Sequence, residues 1–163
     1  MYSRFPTLSE ENLEALLALR RELPMVESLS FRRRMGANGV NNLSVYLNSR
    51  SFNWTRTQRE LFRKAMPDVQ IDRALVYSFL EIPPKVGFLD RMITWVDTRQ
   101  AGTMLSYALK GTNEILLDDK PVQVARGEGI GFSLRTVHEI NKSESGQLWA
   151  CIMVQGDHAD FMP

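Results

Sequence analysis

Two histidines and one cysteine are the whole stock of imidazole and thiol in this chain of 163 residues. His138 sits in "RGEGIGFSLRTVHEIN" (residues 126–141), after a Gly-rich turn and an apolar run, and an acid, Glu139, follows it. An imidazole beside a carboxylate admits three roles: a hydrogen-bonded structural residue, a metal ligand, or an acid–base group without metal. His158 lies in the polar stretch "QGDHADFMP", and it reaches a site at His138 only if that stretch folds back. Cys151 lies in "LWACIMV" and reads as a buried small hydrophobe, which makes a Cys–His nucleophile pair a poor reading. A single cysteine excludes an internal disulfide and a Cys-cluster zinc site.

The other candidates are ionic. Asp90 and Arg91 in "FLDRM", and Asp97 and Arg99 in "WVDTRQ", read as local salt bridges or turns. Arg32, Arg33 and Arg34 form a basic patch able to meet phosphate or an acidic protein surface. "LLDDKP" reads as a hairpin turn with too few oxygen ligands for calcium. The chain has no phosphate-binding Gly-rich loop before a helix, no Gly-x-Ser-x-Gly elbow and no His–Glu zinc helix.

These groups need elements to hold them. "TLSEENLEALLALRREL" predicts a helix capped by Thr7 with Glu10 in reciprocal position, its stripe being Leu13, Leu16, Leu17 and Leu23 and its stop Pro24. "TRTQRELFRKAMP" predicts a second, capped by Thr55 and Gln58, with Leu61, Phe62 and Ala65 on one face and Pro67 at its end. A short strand is expected around Leu43–Leu47. From Ile71 the texture changes to eight short segments: "IDRALVYSFLEI", "MITWVD", "TMLSYAL", "NEILLDD", "PVQVA", "GIGFSL", "VHEIN" and "QLWACIMV". β-branched and aromatic residues fill them and turn formers separate them, the pattern of a sandwich or rolled-up barrel.

At 44% hydrophobic and 24% charged residues, the composition is that of an ordinary soluble globular protein. No apolar run approaches a membrane span, and the N-terminal stretch lacks the apolar core of a secretory signal. Net charge is +1, unevenly spread: residues 1–66 carry 11 Lys/Arg against 6 Asp/Glu, and residues 67–163 carry 9 against 13. Opposite fields on the two parts suit docking to a charged partner or to a second copy, and are too weak to argue for nucleic acid.

Three pieces carry a family resemblance. "EIPPKVGFLDR" is similar to the approach to a His-x-Asp pair. "TMLSYALKGTNEILLDDKPVQVARGEG" is similar to central strands ending in a Gly-Glu turn. "FSLRTVHEINKSESGQLW" is similar to a distal His, a following Asn and the strand that carries an Arg. From about Leu75 to Val154 the chain resembles the double-stranded β-helix of cupins and Fe(II)/2-oxoglutarate oxygenases, and most of all the aspartyl/asparaginyl β-hydroxylase group. The resemblance implies Fe(II) held by two His and one carboxylate, with a basic residue gripping 2-oxoglutarate. It assigns Asp90 and His138 to the metal and puts Phe88 where the first His belongs. The Arg position falls at Gln147 or Leu148. An alternative alignment uses "WVD", with Trp95 and Asp97 at the His-x-Asp pair; it too lacks the first His.

The expected fold is mainly β with N-terminal helices (α+β), a double-stranded β-helix or jelly roll. It forms one domain, 1–163: a helical part, 1–70, packed on a core, 71–156, with a tail at 157–163. The expected function is an oxygenase-like domain that has lost iron/2-oxoglutarate catalysis and serves as a binding or assembly module, viral particles being one setting. Expected partners are proteins or further copies of the chain, without membrane or nucleic acid. The expected location is the cytoplasm or a particle assembled inside the cell, with no cofactor. Two alternatives stand beside it. One is an active Fe(II)/2-oxoglutarate hydroxylase using Asp90 and His138, with Arg91, Arg99 or Arg135 holding an acidic cosubstrate. The other is a small-molecule-binding cupin whose mouth is lined by Trp95, Tyr107 and Gln147.

Overall fold

Ser9 and Thr55 set the starts of the two helices in the computed structural model. The structure describes residues 2–27, 47–66, 74–82, 92–94, 102–134, 136, 138–140 and 145–154; for Glu27, Leu47, Asn48, Ala74, Leu75, Met92–Thr94 and His138–Ile140 it describes the backbone. Helix α1 (Glu10–Glu22) begins two residues later than a Thr7 cap predicts. The Leu8 N–H donates to the Gly127 carbonyl at 2.9 Å, which ties the approach to the helix down, and the Ser9 hydroxyl accepts from the Asn12 N–H at 3.1 Å. Glu10 and Glu11 in the first turn, and Arg20 and Arg21 in the last, complement the helix dipole. Leu13, Leu16 and Leu19 are the buried stripe; Leu17 is only partly buried.

Helix α2 (Arg56–Ala65) has the predicted capping box: Gln58 N–H donates to Thr55 Oγ1 at 3.2 Å, and Thr55 N–H donates to Gln58 Oε1 at 2.9 Å. Phe62 and Ala65 are buried, but Leu61 is 45% exposed. Neighbouring helical residues point about 100° apart, so Leu61 and Phe62 cannot both centre on a narrow stripe.

The strands are β1 (Tyr2–Phe5), β2 (Val26–Glu27), β3 (Leu47–Arg50), β4 (Ala74–Ile82), β5 (Met92–Thr94), β6 (Thr103–Ala108), β7 (Asn113–Leu117), β8 (Lys120–Val124), β9 (Gly129–Ser133), β10 (His138–Ile140) and β11 (Gln147–Val154). The eight segments expected after Ile71 each supply one strand, β4 to β11. With β1, β2 and β3 these form a seven-stranded sheet of order β1-β9-β6-β11-β4-β3-β2 and a four-stranded sheet of order β5-β10-β7-β8. Every pairing among the described residues is antiparallel. The chain crosses from one sheet to the other repeatedly, since β4, β6, β9 and β11 belong to the first and β5, β7, β8 and β10 to the second. Strand β1 was not foreseen; it pairs with β9, Tyr2 opposite Phe132 and Phe5 opposite Gly129. The strand expected around Leu43–Leu47 is found at Leu47–Arg50, and residues 43–46 lie outside the described residues. The β7–β8 turn is the predicted hairpin. Leu117 pairs with Lys120, and Asp118 and Asp119 sit at φ 48° and 65°, the left-handed pair that a tight two-residue turn needs.

Alternation along each strand gives the larger sheet two distinct faces. One face, with Leu105, Tyr107, Leu148, Ala150, Ile152 and Val154, packs with the α1 leucines, Trp54, Phe62 and Phe79. The other, with Ala108, Ile130, Phe132, Trp149 and Cys151, packs with Ile115, Leu117, Val122 and Val124 of the smaller sheet. The helices therefore cover one side and the second sheet covers the other. On the helix side of β9 two residues are glycines, Gly129 and Gly131. A Cβ on Gly129 would come within 2.4 Å of the Tyr107 ring, and one on Gly131 within 2.5 Å of Phe5. "GIG" is thus the bed on which two aromatic rings lie. The fold is a mixed α+β arrangement with N-terminal helices and multi-stranded antiparallel sheets.

Candidate functional site

His138 is the first residue of β10, and β10 lies between β5 and β7. Its backbone pairs with Thr94, the last residue of β5, and with Leu117. At the far end of the same pairing Ile140 meets Met92. Trp95 and Asp97 come just after Thr94 in the sequence, whereas Asp90 and Arg91 come just before Met92. Asp90, Arg91, Trp95, Asp97, Arg99, Arg135, His158 and Arg32, Arg33 and Arg34 lie outside the described residues, as does the side chain of His138. Among the described residues no group of three or more His, Cys, Asp or Glu could hold a metal ion.

Gln147 opens β11 opposite Ile82 and is 2% exposed. Its Oε1 accepts from the Trp149 indole N–H at 2.9 Å, both side chains being buried. Strand alternation puts Gln147, Trp149, Cys151 and Met153 on the face toward the smaller sheet. That face of β11 carries no cation and no carboxylate. Tyr107 is elsewhere. It pairs with Ala150 and packs on the helix side, against Gly129. Tyr107 and Gln147 therefore lie on opposite faces of the seven-stranded sheet, and the structure does not bring them into one pocket. The reason is the period of two: positions 107 and 150 share one face, while 147 and 149 share the other.

Cys151 is buried as expected, and the Ser106 hydroxyl donates to its sulfur at 3.6 Å. Burial pushes the thiol pKa up to about 11, with the Ser106 hydrogen bond opposing weakly. A thiol held protonated in this way is neither nucleophile nor metal ligand at neutral pH.

Sequence reasoning missed one concave feature. A cavity of about 200 Å³ is lined by Arg56, Arg59, Glu60 and Arg63 of α2 and by Tyr77 of β4. Arg56 pairs with Glu60 at 3.2 Å. Tyr77 stacks on Phe62, ring centroids 5.2 Å apart, and burial raises its phenol pKa above the ordinary 10.0 against the pull of Arg63 and Arg59. The signal was present in "RTQRELFRKA", which carries four basic residues and one acid.

No family model matches the chain, and no curated protein matches it. Solved structures do. The chain is similar to a prolyl hydroxylase from Trichoplax adhaerens, solved with a hypoxia inducible factor oxygen degradation domain peptide fragment: 10% identity, 94% of this chain and 83% of that one, TM-score 0.63. It is similar to AviO1 from Streptomyces viridochromogenes Tue57, with 15% identity, 97% of this chain and 90% of that one, and TM-score 0.59. It is also similar to an oxidoreductase of the 2OG-Fe(II) oxygenase family from Burkholderia pseudomallei, with 11% identity, 96% and 85% coverage, and TM-score 0.57. At these identities the likeness is one of fold.

Proposed function

We propose that this chain is an oxygenase-like double-stranded β-helix, a jelly roll, that no longer performs iron/2-oxoglutarate chemistry and serves as a binding or assembly module. One observation carries the reading: the face of β11 toward the smaller sheet presents Gln147 and Trp149, hydrogen-bonded to each other, where the resemblance calls for a cation. An amide supplies no charge to a distal carboxylate, and the indole fills the space beside it. The donors do not fit Fe(II) either. The residues that follow Thr94, the partner of His138, are Trp95, Val96 and Asp97, with no imidazole among them. Losing a group that merely orients a ligand weakens a metal site by about 10–100-fold, and losing a ligand weakens it more. The uneven charge of the chain supports docking to a protein partner or a further copy.

Titration of the protein with Mn(II), in the presence and absence of 2-oxoglutarate and followed by electron paramagnetic resonance, tests this. The expected result is no stoichiometric metal, with a discrete oligomer or complex by light scattering. Stoichiometric metal that is lost in His138→Ala overturns the reading in favour of an enzyme with an atypical site. The register favours one version of that enzyme. Asp97 follows the strand end that pairs with His138, whereas Asp90 precedes the opposite end. In that version Asp97→Asn releases the metal and Asp90→Asn does not.

A further inference from the structure

The cavity on α2 is lined mainly by cations. Arg56, Arg59 and Arg63 are spaced three and four residues apart, so all three rise from one side of the helix. Glu60 neutralises one of them. Arg59 and Arg63 make no ion pair among the described residues. The lining therefore carries a net charge of +2, from three guanidiniums and one carboxylate.

Helix stability does not explain this arrangement. Cations suit the last turn of a helix, which accounts for Arg63 and Lys64. They oppose the dipole in the first turn, yet α2 has no acid there and has Arg56 and Arg59 instead. Helix α1 shows the favourable pattern in the same molecule, with acids first and arginines last. Like charges one helical turn apart also repel by a few tenths of a kcal/mol. An unfavourable row of arginines around a concave surface is the pattern expected when an anion completes it.

We propose that the cleft between α2 and Tyr77 is a binding site for a phosphate monoester. The charge matches, since a phosphate monoester carries about −1.5 to −2 near neutral pH. The donors match, because a guanidinium fork meets phosphate oxygens in pairs. The Tyr77 ring closes the strand side of the cleft. The volume, about 200 Å³, falls below that of cavities which enclose whole drug-sized molecules, so the phosphoryl group and its nearest atoms are what it holds. The base of the cleft is built of packed aromatic rings. Tyr77 stacks on Phe62, and Phe62 is buried against Trp54 and Phe79.

The test is calorimetric titration of the full chain with phenyl phosphate at constant ionic strength, with benzenesulfonate as the singly charged control. Phenyl phosphate is expected to bind saturably at one site, and more tightly than the sulfonate. The double substitution Arg59→Gln/Arg63→Gln, on an exposed helix face, is expected to weaken it by about tenfold or more while leaving the melting temperature unchanged. Three results overturn the proposal: no saturable heat; equal affinity for the sulfonate; or affinity unmoved by the arginine substitutions. Displacement of phenyl phosphate by a single-stranded oligonucleotide at far lower concentration, with steep salt dependence, also overturns it and makes the face a nucleic-acid surface.

Discussion

Gln147 and Trp149 show how much rests on single side chains between the two sheets. The indole N–H is buried, and Gln147 Oε1 accepts from it. Replacing the amide by a hydrocarbon of similar size strands that donor. Gln147→Leu is therefore expected to destabilise the fold by about 1–3 kcal/mol in denaturant titration. A substitution that proves neutral would mean that the indole finds another acceptor. Cys151, two residues further on, is a packing residue whose sulfur accepts from Ser106.

At the scale of elements, strand β9 is the informative case. Its inward and outward positions alternate between Gly129 and Gly131 on the helix side and Ile130 and Phe132 on the other. In the sequence a Gly-rich turn runs into the strand segment "GIGFSL", and the turn falls at Gly127, with φ 87°. Gly129 and Gly131 are strand residues, with aromatic rings on the space where side chains would stand. Gly129→Ala forces the Tyr107 ring off its bed, and Tyr107 is fully buried, so the cost is expected to reach about 1–3 kcal/mol. A thermal melt indistinguishable from the parent would show that the ring has room to shift.

At the scale of the whole molecule, ion pairs tie the helical layer to the rim of the sheets. Arg20 meets Glu81, joining α1 to β4. Arg126, in the turn before β9, reaches Glu10 at 2.9 Å and Glu14 at 3.4 Å on α1. The hydrogen bond from Arg126, and then its charge, hold the Glu10 carboxyl below its ordinary 4.5. A depressed carboxyl pKa stabilises the fold above the unfolded value and loses that contribution as pH falls through the folded one. Glu10→Gln is therefore expected to lower the melting temperature near neutral pH and to lose this effect below the Glu10 pKa. The pair is exposed, so added salt should shrink the difference. A gap that persists in acid would assign the loss to packing.

Patterning by itself determined the eight strands from β4 onward, the two N-terminal helices, the Thr55 capping box and the β7–β8 turn, because these depend on neighbours within a few residues. It determined the apolar setting of Cys151 for the same reason. Only tertiary structure decided which face of a strand meets the helices and which meets the second sheet, and so separated Tyr107 from Gln147. Only tertiary structure paired Tyr2–Phe5 with β9, set His138 opposite Thr94, and turned the arginines of α2 toward Tyr77. Alternation says that a strand has two faces, but which face is which depends on residues distant in the chain, and no local signal carries that information.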